Sequence, residues 1–311
     1  MMCEFVYLKM GIAMAVTSML AVNIGNTVTK IGLYQHDTLV SKWTVTTPAT
    51  ITVSEVQTIL MNFFASLQRE QKRGQHLKKN QHQDGSENQS FVSENTKTSD
   101  VSAGEADFEQ LNIQGSIIAS VAPPITKAWV SALTMECGRT PLQVGPGLKT
   151  GIRLGYSDPS ELGADRIAEM IGARDLFGSP LVVVNLETTT TFEVIDKNGE
   201  FVGGIIAPGL ESSAKGLSAA AAKLPVVDLK APTTVIGKST RAAMQSGVVL
   251  GEVARIDGLV SYIWQELGYK TKVIAAGADA KLIKVLSQTV TDTVDNLTLH
   301  GLKVLFDRNT K

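Results

Sequence analysis

The stretch from Met19 to Tyr34 reads Met-Leu-Ala-Val-Asn-Ile-Gly-Asn-Thr-Val-Thr-Lys-Ile-Gly-Leu-Tyr and is the first of two that decide the fold. Its apolar run up to Ile24 is typical of a buried strand, and Gly25 with the polar residues after it is typical of a tight turn. The pattern from Thr29 onward predicts a second strand that returns from this turn. We therefore expect the chain to open with a hairpin.

A second stretch repeats this order in the other half of the chain. Leu181-Val-Val-Val predicts a short buried strand, and residues 190–196 predict a strand after the polar turn that follows it. Asn198-Gly199 predicts the next turn, and a third strand starts at Phe201. Two halves with the same opening, each followed by helices, predict a duplicated α/β unit with a cleft between the copies. Clefts between domains are preferred ligand sites.

Segments between the two openings carry further helix and strand signals. Apolar spacing predicts a helix over residues 54–67. Gly115 begins an apolar strand that ends at two prolines, and a helix follows through residues 129–135. Residues 160–175 predict another helix, which the Gly178-Ser-Pro sequence stops.

A polar stretch over residues 68–107 interrupts the first half. Its large apolar residues are too few to offset the entropy of ordering the segment; they are Leu77, Phe91, Val92 and Val101. We therefore predict a disordered polar insertion, with a first domain over residues 17–178 and a second over residues 179–303.

The composition excludes several classes of protein. At 311 residues and 43% hydrophobic content, the chain is long and apolar enough for two domains with separate cores. With 29 basic and 30 acidic residues, the formal net charge of -1 offers no electrostatic field for a polyanion. We therefore expect a soluble globular protein that does not bind nucleic acid.

The N-terminal segment and the cysteines bear on location. Lys9, Thr17 and Ser18 interrupt the apolar residues of the first segment below the length that spans a membrane. A signal peptide is the alternative interpretation of this segment. Cys3 and Cys137 stand far apart, which supports neither a disulfide framework nor a structural zinc site. We therefore expect a cytoplasmic protein without a membrane span.

The two polar turns are the first candidates for chemistry. In Asn23-Ile-Gly-Asn-Thr27, a glycine with amide and hydroxyl groups can bring backbone N–H donors close to a phosphate. The turn that begins at Asn185 places four successive threonines at the equivalent point of the second half. Either turn alone is weak evidence, because an ordinary hairpin turn and strand-forming threonines explain it. Together, at equivalent places of a duplicated unit, they favour a two-sided nucleotide clamp.

The sequence Gly163-Ala164-Asp165-Arg166 is the second candidate. An aspartate at a helix start can take a proton from an attacking hydroxyl group, and an arginine can hold a carboxylate or phosphate through two parallel hydrogen bonds. A plain helix-start carboxylate beside an exposed arginine is the alternative interpretation.

These motifs, taken in order, resemble the type III pantothenate kinase family over about residues 19–283. The most specific parts are Tyr156, seven residues before Gly163, and the block over residues 203–210. The complete set is NIGNT (23–27), YSDPSELGADR (156–166), NLETTTT (185–191), GGIIAPGL (203–210), GKST with AMQSG (237–240 and 243–247) and AAGADAKLI (275–283). The resemblance implies an actin-like fold of two ribonuclease-H-like domains with a central interdomain cleft.

The resemblance also implies a reaction and roles for residues. Such a protein phosphorylates pantothenate with ATP at the start of coenzyme A synthesis, with Asp165 as the catalytic base. The residues implied around pantothenate are Tyr156, Gly163, Ala164, Asp165, Arg166 and Thr240. The residues implied to contact ATP are Asn23, Ile24, Gly25, Asn26, Thr27, Val28, Thr29, Lys30 and Thr188. A homodimer with pantothenate sites near the subunit interface, Mg²⁺ and a monovalent cation (K⁺ or NH₄⁺) are implied as well.

The chain departs from the family pattern on the nucleotide side. The family has aspartate where this chain has Asn23, at the magnesium and phosphate site, and where it has Asn185, a ligand of the monovalent cation. An amide keeps an acceptor but loses the charge that favours a divalent cation. Glu187 replaces a glycine, and it either repels ATP or partly restores the lost charge through a metal. The usual Thr-Gly-Gly near the adenosine is replaced by alanines and one glycine around Gly277.

Two other functions fit parts of the pattern. A catalytically impaired relative that serves as a ligand-sensing or regulatory binding protein would explain both missing acids. A sugar or acetate kinase of the same fold would explain the cleft, but Tyr156 with the Gly163–Arg166 motif favours pantothenate. The leading hypothesis remains an ATP-dependent pantothenate kinase.

Overall fold

The computed structural model describes residues 18–81, 113–221, 224–225 and 227–310. The strands are β1 (Ser18–Ile24), β2 (Val28–Gln35), β3 (Thr38–Thr46), β4 (Ile113–Ser120), β5 (Leu142–Gln143), β6 (Leu181–Leu186), β7 (Thr189–Ile195), β8 (Phe201–Pro208), β9 (Lys272–Gly277) and β10 (Asp292–Val294). The helices are α1 (Val53–Gln81), α2 (Pro123–Cys137), α3 (Ala164–Phe177), α4 (Leu210–Ala220), α5 (Thr240–Leu267), α6 (Ala280–Leu286) and α7 (Leu297–Thr310), with a 3-10 turn at Pro159–Glu161.

The strands form two sheets with the same topology. The first has the order β3-β2-β1-β4-β5 and the second the order β8-β7-β6-β9-β10. In each sheet the three strands of the opening are antiparallel, and the last two run parallel to the first strand of that sheet. The predicted duplication of one α/β unit is confirmed.

Successive side chains of the central strands point to opposite faces of their sheets and so contribute to three separate cores. Met19 and Ala21 of β1, and Leu181 and Val183 of β6, face a central layer that holds α3 and α7. The intervening residues of β1 pack outward against α1 and α2. Those of β6 pack outward against α4, α5 and α6. The part of the chain that the structure describes therefore has five layers. In order, they are α1 and α2, the first sheet, the central helices α3 and α7, the second sheet, and α4 to α6.

The two central helices cross at a pair of glycines. A Cβ atom at Gly301 of α7 would lie 1.7 Å from the carbonyl oxygen of Ala168 on α3. A Cβ atom at Gly172 of α3 would lie 2.8 Å from the carbonyl oxygen of Leu297. Only glycine permits this approach of two backbones. The crossing fixes α7 against α3 between the two sheets.

Helix α1 differs from the prediction at its C-terminal end. It continues to Gln81, whereas the apolar spacing predicts an end at Leu67. The sequence from Gln68 to Gln81 is rich in glutamine, lysine, arginine and glutamate, which have high helix propensity without any apolar face. The rest of the predicted insertion, residues 82–107, lies outside the described residues. The domain limits at 178 and 303 stay a prediction.

Helix α3 begins later than its sequence pattern predicts. Residues 160 and 161 belong to the 3-10 turn, which Asp158 caps by accepting a hydrogen bond from the backbone N–H of Ser160. Leu162 then has extended backbone, and Gly163 stands just before the helix. The consequence is that Asp165 lies in the first turn of α3.

Among the described helices, none has the length and hydrophobicity needed to cross a bilayer.

Candidate active site

The two polar turns face each other across the cleft. The hydroxyl groups of Thr27, after β1, and Thr188, after β6, are 2.9 Å apart. Gly25 closes the first turn through its N–H, which donates to the carbonyl oxygen of Val28 at 3.0 Å. Two copies of one α/β unit whose polar turns meet in this way define the actin-like class of fold.

The other residues of the first turn have distinct environments. Ile24 is buried in the outer core, and Asn26 is exposed. The Thr29 hydroxyl group is buried and lies 2.9 Å from that of Thr47. Asn23 is also buried, and its Oδ1 has no hydrogen-bond partner in the described part of the chain. A buried acceptor without a partner is the kind of atom that a ligand satisfies.

Lys30 and Glu187 join the two halves across the cleft. The Lys30 Nζ donates to Glu187 Oε1 at 2.6 Å, and both side chains are about a quarter exposed, at 24% and 29%. Neither of the two sequence-based interpretations of Glu187 included this pair. The carboxylate neutralises the lysine that the resemblance assigns to ATP.

Cavities flank this ion pair. One of about 330 Å³ lies between the first sheet and the N-terminus of α7, and another of about 440 Å³ lies between the turns and α4. The first is lined by residues that include Lys30, Lys42, Asn185, Glu187, Gly277 and Thr298. The second is lined by residues that include Thr27, Thr188, Glu211, Lys215, Leu229 and Asp279. The turns therefore have space on both sides for an extended polar ligand.

Asp165 lies half-buried at the start of α3. Its Oδ1 accepts a hydrogen bond from the backbone N–H of Arg166 at 2.8 Å. Burial raises the pKa of Asp165 above its ordinary value, against the lowering effect of that hydrogen bond, and the charge of Glu187 adds to the rise. Gly163 lies close by, and a Cβ atom there would lie 2.6 Å from Asp165 Oδ1, so a larger residue would displace the carboxylate. Ala164, between them, is buried in the central core.

Arg166 is held by a carboxylate that the sequence motifs did not include. Its Nε and Nη2 donate to the two carboxylate oxygens of Glu193 at 2.7 Å each, and Glu193 is fully buried. Burial lowers the pKa of Arg166, but the Glu193 carboxylate outweighs this effect and raises it overall. The guanidinium group is therefore fixed in orientation and permanently charged.

Tyr156 completes this part of the site. Its hydroxyl oxygen accepts from Arg166 Nη1 at 3.4 Å, and its ring stacks on Phe201 with centroids 5.5 Å apart. Gly204 makes room for the arginine, because a Cβ atom there would lie 2.8 Å from Arg166 Nη2. The structure thus brings Tyr156, Gly163, Asp165 and Arg166 together.

Thr240 lies elsewhere. It begins α5, next to the capping residue Ser239, and is exposed. Helix α5 packs on the outer face of the second sheet, whereas α3 packs on its inner face. Within one copy of the chain, the second sheet separates the helix that carries Thr240 from the helix that carries Asp165.

Glu169 is a second acidic residue that the sequence motifs did not include. It follows Asp165 by one turn of α3 and is buried. Its Oε1 accepts from Asn185 Nδ2 at 2.8 Å and from the Thr298 hydroxyl group at 3.0 Å. Its Oε2 is buried without a partner among the described residues. Burial raises the pKa of Glu169 well above its ordinary value, and the charges of Asp165 and Glu193 raise it further.

Comparison with known proteins identifies the family. The sequence model of type III pantothenate kinases matches residues 19–76 and 70–262. The type III pantothenate kinase of Anaeromyxobacter dehalogenans is 35% identical over 291 residues, which cover 94% of this chain and 99% of that protein. That of Moorella thermoacetica is 40% identical over 198 residues, which cover 64% of this chain and 78% of that protein. The chain therefore belongs to the type III pantothenate kinase family.

A solved structure supports the fold independently. A Baf family protein from Campylobacter jejuni superposes with a TM-score of 0.50 at 17% identity, covering 93% of this chain and 98% of that chain. At this level of identity the likeness concerns the fold alone. It agrees with the two equivalent sheets described above.

Proposed function

We propose that this protein transfers the γ-phosphoryl group of ATP to the primary hydroxyl group of pantothenate, the first step of coenzyme A synthesis. The observation that carries the proposal is the position of Asp165. This residue is half-buried beside Arg166, and it lies close enough to Glu187 of the second turn for the charge of that glutamate to raise its pKa. In this proposal, Asp165 is the base, and it lies between Arg166, which would bind the pantothenate carboxylate, and the cleft that would bind the nucleotide. Family membership identifies the acceptor.

Asp165 acts as the general base of the transfer. It accepts the proton of the pantothenate hydroxyl group while that oxygen forms a bond to the γ-phosphorus, and the bond from phosphorus to the β,γ-bridging oxygen breaks to release ADP. A raised pKa suits this role, because a carboxylate whose pKa lies above that of an ordinary aspartate binds the proton more strongly.

Arg166 and Tyr156 position pantothenate. Glu193 accepts from Nε and Nη2 and the Tyr156 hydroxyl oxygen accepts from Nη1, which leaves one N–H on each of Nη1 and Nη2 for the pantothenate carboxylate. The Tyr156 ring, stacked on Phe201, forms an apolar wall beside this anchor. Gly163 and Ala164 would contact the substrate through the backbone at the start of α3.

The two turns hold ATP. Residues 23–30 and Thr188 would contact the phosphates through backbone N–H and hydroxyl groups, and the adenosine would lie in the 440 Å³ cavity beside α4. A triphosphate between the turns separates the Thr27 and Thr188 hydroxyl groups. It also competes with Glu187 for Lys30, because both are anions that seek the same ammonium group.

Magnesium and a monovalent cation complete the proposed site. The orphaned Oδ1 of Asn23 fits a neutral oxygen ligand on the phosphate side, where Mg²⁺ would neutralise the triphosphate. Asn185 would stand beside the monovalent cation, K⁺ or NH₄⁺, which offsets negative charge near the second turn. In this proposal the residues of the chain position ATP and pantothenate, and each ion supplies positive charge that offsets the negative charge of the nucleotide.

A homodimer in the cytoplasm is the proposed working form. Val202 and Ile206 of β8 are 44% and 61% exposed on the strand that carries Gly204, next to Arg166. Val235 and Ile236, just before Thr240, are 74% and 80% exposed. A second copy that covers these apolar groups would also bring its Thr240 toward the pantothenate site, which one copy alone does not do.

A coupled assay tests the proposed function. ADP formation should require pantothenate, and ³¹P NMR should show a phosphate monoester on its primary hydroxyl group. Asp165→Asn keeps the size of the side chain but removes the base, so the rate should fall by about 10²- to 10⁴-fold. The surface variant Glu200→Gln serves as control and should keep the rate. Pantothenate-independent hydrolysis, or an Asp165→Asn variant as fast as the parent, would contradict the proposal.

A further inference from the structure

The carboxyl group of Glu169 is only half satisfied. Asn185 and Thr298 both donate to Oε1, whereas Oε2 is buried without a hydrogen-bond partner in the described part of the chain. The whole residue is 3% exposed, so bulk water does not reach this oxygen. A buried carboxyl group without such partners either takes up a proton or is paired with a cation. A cation at Oε2 is the partner that would keep Glu169 ionised.

The location of Glu169 matches the charge that is missing at position 185. The Asn185 amide is neutral, but the carboxyl group of Glu169 lies one hydrogen bond away, at 2.8 Å. Because Nδ2 of Asn185 is the atom that faces Glu169, its Oδ1 is left for another partner and points toward Gly277. One carboxyl group beside a neutral amide whose oxygen is left for another partner is a donor set suited to a weakly hydrated monovalent cation.

The surroundings of Glu169 also favour a positive ion. Two further carboxylates, Asp165 on the same helix and Glu193 on β7, act on Glu169 with like charge, whereas Lys30 on β2 is the cation that acts on it with opposite charge. The side chains that touch it from β6 and α7, Asn185 and Thr298, are neutral.

We infer that Glu169, and not the residue at position 185, supplies the negative charge of the monovalent-cation site in this chain, with Oε2 facing the ion. The nature of the ion rests on the proposed function; the location of the charge rests on the contacts of Glu169. Relative to the pattern that the family resemblance implies, the charge has moved from the second sheet to the central helix α3.

Ion binding without substrates provides the test. Thermal unfolding of the full chain is followed with KCl and with tetramethylammonium chloride at equal ionic strength, and ²⁰⁵Tl NMR reports direct binding of Tl⁺ as a K⁺ probe. The parent should unfold at a higher temperature in KCl. Glu169→Gln should weaken the binding of both ions by about 10- to 100-fold. The double variant Glu169→Gln with Asn185→Asp should restore binding, because it returns the charge to the second sheet.

Controls separate this inference from general damage. Glu252→Gln removes an equally buried carboxyl group, one that accepts from Thr190 on the outer face of the second sheet, and should leave the KCl effect unchanged. If Glu169→Gln does not fold, Glu169→Asp decides. It keeps a carboxylate but shortens the side chain by one methylene group, so the charge is drawn back from the ion and the difference in unfolding temperature between the two salts should narrow.

Two outcomes would overturn the inference: an unchanged KCl effect in Glu169→Gln, or no K⁺ or Tl⁺ binding by the parent. Either could occur in an active kinase, so the proposed function would stand. Conversely, loss of ion binding in Glu169→Gln would support the inference even if pantothenate-dependent turnover were absent.

Discussion

Two glutamate ion pairs hold the site together, and they differ in their access to water. Arg166 and Glu193 form a bidentate pair with side chains that are 10% and 0% exposed. Lys30 and Glu187 share a single contact with side chains that are 24% and 29% exposed. The first pair lies on the pantothenate side and the second on the nucleotide side.

This difference separates a rigid half of the site from an adjustable one. A buried bidentate pair keeps one geometry, because breaking it would leave a charge without solvent. A partly exposed single contact exchanges its partner at low cost. The pantothenate anchor is therefore formed before any ligand binds, whereas the phosphate side is closed by a contact that ATP can replace.

The largest effect should come from breaking the buried pair. Glu193→Gln keeps the shape of the side chain but leaves the Arg166 charge uncompensated, so the free energy of unfolding should fall by about 3–5 kcal/mol. Glu187→Gln, the same change in the exposed pair, should cost about 0–1 kcal/mol. Urea unfolding of both variants measures the difference. Equal losses would mean that burial does not distinguish the two pairs. In the folded fraction, Glu193→Gln should raise the KM for pantothenate more than it lowers kcat.

An intermediate effect should appear in the pH dependence of the rate. Burial raises the pKa of Asp165, so its protonated form persists to a higher pH than in an ordinary aspartate. Only the deprotonated form accepts the proton, so kcat/KM for pantothenate should fall about tenfold per pH unit below that pKa. The profile is measured at saturating ATP. A rate that stays constant down to about pH 4, near the pKa of a free aspartate, would contradict this assignment.

The smallest effect should come from releasing Lys30. Glu187→Gln removes the competing carboxylate, so the KM for ATP should fall a few-fold, the equivalent of about 0.5–1 kcal/mol. The effect should shrink at high salt, because both groups are partly exposed. Glu200→Gln breaks an exposed pair with Arg153 and is the matched control. An unchanged or higher KM for ATP in Glu187→Gln would show that the glutamate assists the nucleotide.

Much of the fold could be predicted because its signals are local. Apolar runs and glycine turns identified β1, β2 and β6, and their recurrence predicted the two equivalent sheets. The helix around Asp165 was also predicted, although its start was placed too early because the Leu162-Gly163 step breaks the helical backbone. The continuation of α1 to Gln81 was missed because its residues favour helix through propensity and not through an apolar stripe.

The site residues that could not be predicted from the sequence, Glu193 and Glu169, depend on contacts between distant parts of the chain. Glu193 sits in a strand between Phe192 and Val194 and looks like an ordinary strand residue until α3 brings Arg166 against it. Its one sequence signal is a charge on the buried face of an otherwise apolar strand. Glu169 lies in α3, whereas Asn185, which donates a hydrogen bond to it, lies in the following strand β6. No pattern of neighbouring residues in the sequence indicates this contact.

The position of α7 has a consequence for synthesis. This helix covers the inner face of the first sheet, yet residues 297–310 are translated after everything else that the structure describes. During translation β1, β2 and β4 can pair with one another and bind α1 and α2, but the part of their other face that α7 covers stays apolar and open until α7 emerges from the ribosome. The interval between these events is when the nascent chain is most exposed to aggregation and to chaperones.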